Sequence, residues 1–274
     1  MATRTRRTER REEPLSRERI VEAAVGLLDS AGEGGLTFRA LAEHLSTGPG
    51  AIYWHVTGKG ELLDAATAAV LDAAMAAAAA GLGAAADPGA EAGPGEAADP
   101  GASTGPGEAA GGPAGVAAAP ATVAGATPQE AIRALALGVF DAIDVHPWVG
   151  TQLSRAPGQS PMLRVLEHIG RQVQALGVPH AAQFTAASAL LNYITGVAGQ
   201  NAANARAHQA RRPSPGRAEF LGAAADAWAA LDPVEYPFTR GVADQLRDHD
   251  DRAEFLAGID LVIAGITAVH PLPE

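Results

Sequence analysis

The 274-residue chain has no cysteine, which excludes disulfide scaffolds, thiolate zinc sites, iron–sulfur clusters and cysteine nucleophiles together. Lysine occurs once, at Lys59, and the glycine after it rules out a GK-Ser/Thr phosphate loop. Aromatic residues are 4% of the chain, so its core must be built mainly from small aliphatic side chains. No stretch of useful length alternates apolar and polar residues, which leaves an all-α fold. The eight histidines, at positions 44, 55, 146, 168, 180, 208, 249 and 270, form no HExxH pair and no metal-binding spacing. The expectation is a protein that is not an enzyme, with no catalytic residues, no metal and no cofactor.

Hydrophobic residues at 47% and charged residues at 19% are ordinary globular usage. The net charge of −11 argues against an indiscriminate nucleic-acid binder, yet its distribution says more than its sum. Residues 1–19 carry seven arginines against four glutamates, a balance of +3, while residues 65–274 sum to −10. Arg4, Arg6, Arg7, Arg10 and Arg11 form an arm, expected to be disordered over 1–14, that suits plain solvation or contact with phosphates. It contains no apolar stretch, so no secretory signal is read. Ala73 to Ala86 is short and alanine-rich, and Ala181 to Ala205 is interrupted by Gln183, Asn192, Gln200, Asn201 and Asn204. Both are expected to be helices of a cytoplasmic, soluble protein rather than membrane spans.

Residues 81–127 contain 12 Gly, 6 Pro and 17 Ala with no aromatic residue, and DPGAEAGPGEAA (Asp87 to Ala98) recurs as DPGASTGPGEAA (Asp99 to Ala110). Such a composition cannot bury enough surface to offset its ordering entropy, so a disordered linker is expected there. It separates a front domain, 15–80, from a rear domain, 128–274. In the front domain Ser16 can cap a helix with Ile20, Val21, Ala24, Leu27 and Leu28 on its apolar face, stopped by Gly32, Gly34 and Gly35. Thr37 is an N-cap for a short helix over Phe38 to Leu45, with Leu36 and Leu41 placed as a hydrophobic staple. Ser46-Thr47-Gly48 makes a tight turn, Pro49 opens a third helix, and a fourth begins near Gly58. In the rear domain, helices are expected from Pro128 to the His146-Pro147 break, over Met162 to Leu176, over Ala181 to Ala207 and over Phe255 to Val269. The last two are apolar over more than one stripe, as buried or shared helices are.

Two short helices, a three-residue turn and a helix led by proline and glycine describe a helix-turn-helix over about 38–57, whose second helix meets base edges. Pro49, Gly50 and Ala51 permit close backbone approach, and Tyr53, Trp54 and His55 are concentrated beside them. Lys59 stands in the first turn of a helix, where a cation opposes the dipole, so an external phosphate is a natural reason for it.

LTFRALAEHLSTGPGAIYWHVTGKGELLDA (Leu36 to Ala65) resembles the DNA-binding domain of the TetR family of repressors, and its YWHV-x-x-K core is especially similar to the tetracycline repressor branch. The HPW turn at His146 to Trp148, NYITG at Asn192 to Gly196, and the stretch from Asp232 to Ile266 resemble that family's regulatory domain in the same order. The resemblance implies an N-terminal helix-turn-helix domain followed by a helical ligand-binding and dimerisation domain. It implies a homodimer formed through the helices around 181–207 and 252–269, a double-stranded DNA operator and a small-molecule effector. It also implies that Arg39 and the Pro49–Gly50–Ala51 turn approach bases, that Tyr53, His55 and Lys59 hold phosphates, and that Trp54 touches a thymine methyl. The chain departs from the tetracycline repressor at Met75 and Leu153, where that branch has a pocket histidine and a metal-coordinating histidine. A metal-free effector is therefore expected, in a pocket that draws on Gln152, Met162, Leu166, Asn192, Thr195 and Gln200. The alternatives are a helix-turn-helix protein acting through protein partners, or an enzyme with an unrecognised carboxylate site.

Overall fold

The computed structural model describes residues 14–86, 126–153, 161–210 and 216–271. Every regular element among them is helical. In chain order these are α1 (Arg17–Gly35), α2 (Phe38–His44), α3 (Pro49–Tyr53), α4 (Lys59–Ala86), α5 (Pro128–Val145), α6 (Pro147–Leu153), α7 (Met162–Ala175), α8 (His180–Ala210), α9 (Arg217–Ala229) and α10 (Pro237–Gly241). A 3-10 helix (Ala243–Leu246) and α11 (Asp251–Val269) follow. The arginine arm up to residue 13 and most of the 81–127 segment, both DPG repeats included, lie outside the described residues.

Local chemistry sets the front helices. Ser16 Oγ accepts from the Arg19 N–H at 3.3 Å and opens α1, which buries Ile20, Ala23, Ala24 and Leu28. The expected stop at the glycines is a kink instead: Gly32 alone leaves helical geometry, at φ +64°, and the helix resumes to Gly35. Thr37 Oγ1 accepts from the Ala40 N–H at 3.1 Å, and the staple residues Leu36 and Leu41 are both buried. The turn after α2 is a tight one, as Ser46-Thr47-Gly48 suggested. The Ser46 N–H donates to Glu43 O and the Thr47 N–H to Ala42 O, a Schellman closure with Ser46, at φ +52°, in the left-handed position. Gly48 is extended and precedes α3. Ser46→Gly should therefore raise stability by about 0.5–1 kcal/mol. Urea titration checks it, and a loss of stability would mean that the serine side chain stabilises this turn.

α4 is longer than the front domain drawn from sequence, running six residues past position 80. Over Lys59–Gly83 it is long and apolar enough to cross a membrane by length and composition. Here it buries Leu62, Leu63, Ala66, Leu71 and Met75 in the core shared with the other helices. α5 lies against it so closely that a Cβ on Gly138 would stand 3.0 Å from the Ala74 carbonyl. A reciprocal Thr127–Glu130 capping box starts α5. Its buried face (Ile132, Leu135, Val139, Phe140, Ile143) packs with α8 and α11. Phe255 is the largest fully buried side chain. It stacks on Phe140 at 4.6 Å and on Tyr193 at 5.7 Å. The Tyr193 hydroxyl donates to the Phe255 carbonyl at 3.3 Å, and burial pushes its pKa up. Gly258 completes this corner, since a Cβ there would overlap the Tyr193 hydroxyl.

Candidate nucleic-acid interface and the domain junction

Ile52 of α3 and Val56, just beyond its end and four residues on, both enter the core at 0% and 1% exposure. The opposite face is left to Tyr53 and Trp54, which are 56% and 89% exposed. Tyr53 and Trp54 thus stand side by side as adjacent exposed aromatic rings. Tyr53 stacks on Phe38 of α2 at 4.5 Å with the rings 7° from parallel. That contact holds one face of the ring against α2. Phe38 is a supporting residue that sequence reasoning did not single out, although its place at the start of α2 was known. Pro49 and Gly50 are exposed, Ala51 and His55 half-buried. Arg39, on α2, is exposed too. The structure thus brings all of these residues to two adjoining short helices.

Lys59 opens α4 and is exposed. Its ammonium donates to the main-chain carbonyl of Glu33, an internal acceptor absent from the sequence argument. Beside it Glu61 accepts from the Thr57 N–H at 2.7 Å and from the Thr57 hydroxyl at 2.8 Å. Those two bonds, the backbone one foremost, hold the Glu61 carboxyl below the usual carboxylate range. Glu61 also pairs with Arg17 at 2.7 Å.

The six residues expected to line an effector pocket differ in burial and in hydrogen-bond partners. Gln152 is buried, but its amide donates to Glu33 Oε1 at 2.5 Å, toward α1. Thr195 turns its hydroxyl back to the Leu191 carbonyl at 2.9 Å. Met162 and Leu166 are half-buried against the core, whereas Asn192 and Gln200 are exposed on α8. Met75 and Leu153, where the tetracycline repressor has histidines, are buried core side chains.

Gln152 belongs instead to a polar junction between the front helices and the body. Asp29 Oδ1 accepts from Trp148 Nε1 at 2.7 Å and lies 2.7 Å from His146 Nδ1. Arg164 of α7 pairs with Asp72 of α4. Below these contacts runs a groove of about 750 Å³ between α1 and α4, floored by valines and alanines and edged by carboxylates. None of the six expected pocket residues lines it. The sequence marked the HPW turn but not its acceptor, because Asp29 lies 117 residues away from His146.

Comparison with known proteins agrees with this geometry. A model of bacterial regulatory proteins of the tetR family matches residues 20–66, and one of the tetracyclin repressor-like C-terminal domain matches residues 120–270. A TetR transcriptional regulator of Streptomyces coelicolor is 50% identical, with a TM-score of 0.71 over 94% of this chain and 100% of that one. The Escherichia coli tetracycline repressor protein class D is 44% identical over 57 residues, 21% of this chain and 26% of that protein. The chain thus matches only about a quarter of that curated relative's length. The fold also matches Streptomyces coelicolor ActR in complex with actinorhodin, at 19% identity and a TM-score of 0.61 over 95% of this chain and 100% of that one.

Proposed function

The chain belongs to the tetR family of bacterial regulatory proteins, and on that footing we propose that it is a homodimeric cytoplasmic repressor released from a palindromic operator by a small molecule. The observation that carries the DNA-binding half is the exposed Tyr53–Trp54 face of α3, held rigid by Ile52, Val56 and Phe38. In this reading Arg39 and the Pro49–Gly50–Ala51 turn approach base edges, and Trp54 packs on a thymine methyl. Tyr53, His55 and Lys59 hold phosphates, which set register without reading sequence.

Dimerisation is assigned to α8 and α11. On α8, Phe184, Ala189, Asn192, Gly196 and Gln200 recur at three to five residues on the exposed side. On α11 the exposed side carries Leu261, Ala264, Gly265 and Ala268. Small residues at that spacing allow close helix approach, and an amide pair at the seam fixes register. The effector is assigned to the helical body, in a pocket drawing on Gln152, Met162, Leu166, Asn192, Thr195 and Gln200, as an uncharged or weakly charged, largely apolar molecule bound without a metal. ActR, which shares the fold, has been crystallised with a small molecule.

Selection from a random DNA pool followed by footprinting tests the reading. Two protected half-sites about 34 Å apart, or a multiple of that, are expected of a two-fold protein. Protection of one asymmetric half-site at all concentrations would refute the dimer. Lys59→Ala should weaken binding to every sequence and flatten the slope of log K against log salt by about one unit. An unchanged slope would leave Lys59 with only its Glu33 contact.

A further inference from the structure

The α1–α4 groove carries a charge that a DNA-binding head has reason to avoid. Its rim holds five carboxylates, Glu18, Glu22, Glu61, Asp64 and Asp72, against two guanidinium groups, a net −3. Glu61 and Asp72 are paired to Arg17 and Arg164. Glu22 and Asp64 are exposed and make no hydrogen bond or ion pair among the described residues. The groove starts at Arg17 and Glu61, within two residues of Lys59. Uncompensated carboxylates there repel the phosphates that this edge is proposed to meet.

The chain supplies a matching cation. Residues 4–11 hold five arginines and one glutamate, a net +4. They precede Pro14, which is three residues before the groove's first lining residue. Glu61 to Asp72 spans about 17 Å along the helix axis, and eight extended residues cover about 26 Å, so the arginines can reach the whole rim. The valine and alanine floor suits the methylene stems that arginine lays along apolar surface.

We propose that the segment Arg4 to Arg11 docks into its own α1–α4 groove when DNA is absent, and that DNA phosphates compete with Glu18, Glu22 and Asp64 for it. The arm is then withheld from stray contacts and is released where a phosphate lattice outbids the groove. This deepens the DNA-binding reading, but its central test needs no DNA and can fail separately.

The chain's lack of cysteine makes the test clean. In the full chain carrying Thr8→Cys and Ala69→Cys, mild oxidation should form a disulfide within one chain, read as a mobility shift on a non-reducing gel. The trapping rate should fall at least about five-fold in 0.5 M NaCl, where charge screening is nearly complete within a few ångströms. Adding Glu22→Gln and Asp64→Asn should slow it similarly, with an unchanged melting temperature showing that the fold is intact. Non-specific duplex DNA should slow it too. Equal rates with and without salt and groove charges would overturn the docking. So would a product that links two chains, while a rate indifferent to DNA would overturn the competition.

Discussion

Phe255→Ala should lower the free energy of unfolding by about 3–5 kcal/mol, the range for removing a fully buried aromatic ring. Phe255 is 1% exposed and sits between Phe140 of α5 and Tyr193 of α8. Truncation therefore empties space on three helices at once, and no neighbour is placed to fill it without moving a helix. Tyr193→Phe is the contrast: it keeps the stack and removes only the hydroxyl's bond to the Phe255 carbonyl, which costs about 0.5–1.5 kcal/mol. Denaturant titration of both variants measures the difference. A loss below about 2 kcal/mol for Phe255→Ala would mean that the three-helix corner collapses onto the cavity.

Asp29→Ala should uncouple the front helices from the body. One carboxylate oxygen receives the Trp148 N–H, and His146 lies within 2.7 Å of it. Trp148 is only 6% exposed, so its donor would lose its partner with little water to replace it, at about 1–3 kcal/mol. A head of some 70 residues shifts its melting midpoint by about 4–8 °C per kcal/mol. Calorimetry should then show the head unfolding ahead of the body, whereas a single transition is expected of the parent chain. Asp29→Asn, which keeps an oxygen acceptor for Trp148, should fall between the two. On the ligand-responsive reading, operator release by an effector should also weaken by about 5–150-fold, because coupling between sites runs through such contacts. A single unshifted transition in Asp29→Ala would place the coupling elsewhere.

What the sequence made legible is what is local. Ser16 and Thr37 cap helices through bonds to residues three positions on, so their spacing could be read directly, whereas Thr127, which caps α5 in the same way, fell at the end of the segment read as linker. Ile52 and Val56 stand one helical turn apart in sequence, and that spacing puts them on one side with Tyr53 and Trp54 away from it. The left-handed Ser46 was missed because glycine normally takes that position and Gly48 stood two residues away. Gln152 could be read as a polar residue on an apolar helix, but not as a donor to Glu33, 119 residues distant. Asn192 and Gln200 look the same in sequence whether they face a cavity or a second chain. Burial separates polar residues of those kinds, and burial is set by tertiary packing.

α4 is a single rod that begins at Lys59 and continues beyond its close approach to α5 at Ala74. With no side chain on Gly138, the two backbones nearly touch there, and on the ligand-responsive reading that contact is where α4 would pivot. The arm from Ala74 to Lys59 is about 22 Å long at helical rise. A swing of about 5° displaces Lys59 by about 2 Å, and 10° by about 4 Å, for a rigid helix of that length. Hydrogen bonds to phosphate fail within the smaller of those distances. In the proposed dimer, two such arms swinging about the two-fold axis would change the separation of the reading heads by twice the displacement. On the ligand-responsive reading, a modest rearrangement in the body is geared up at the head, and a side chain at position 138, which would press on the Ala74 carbonyl, should alter effector response as well as stability.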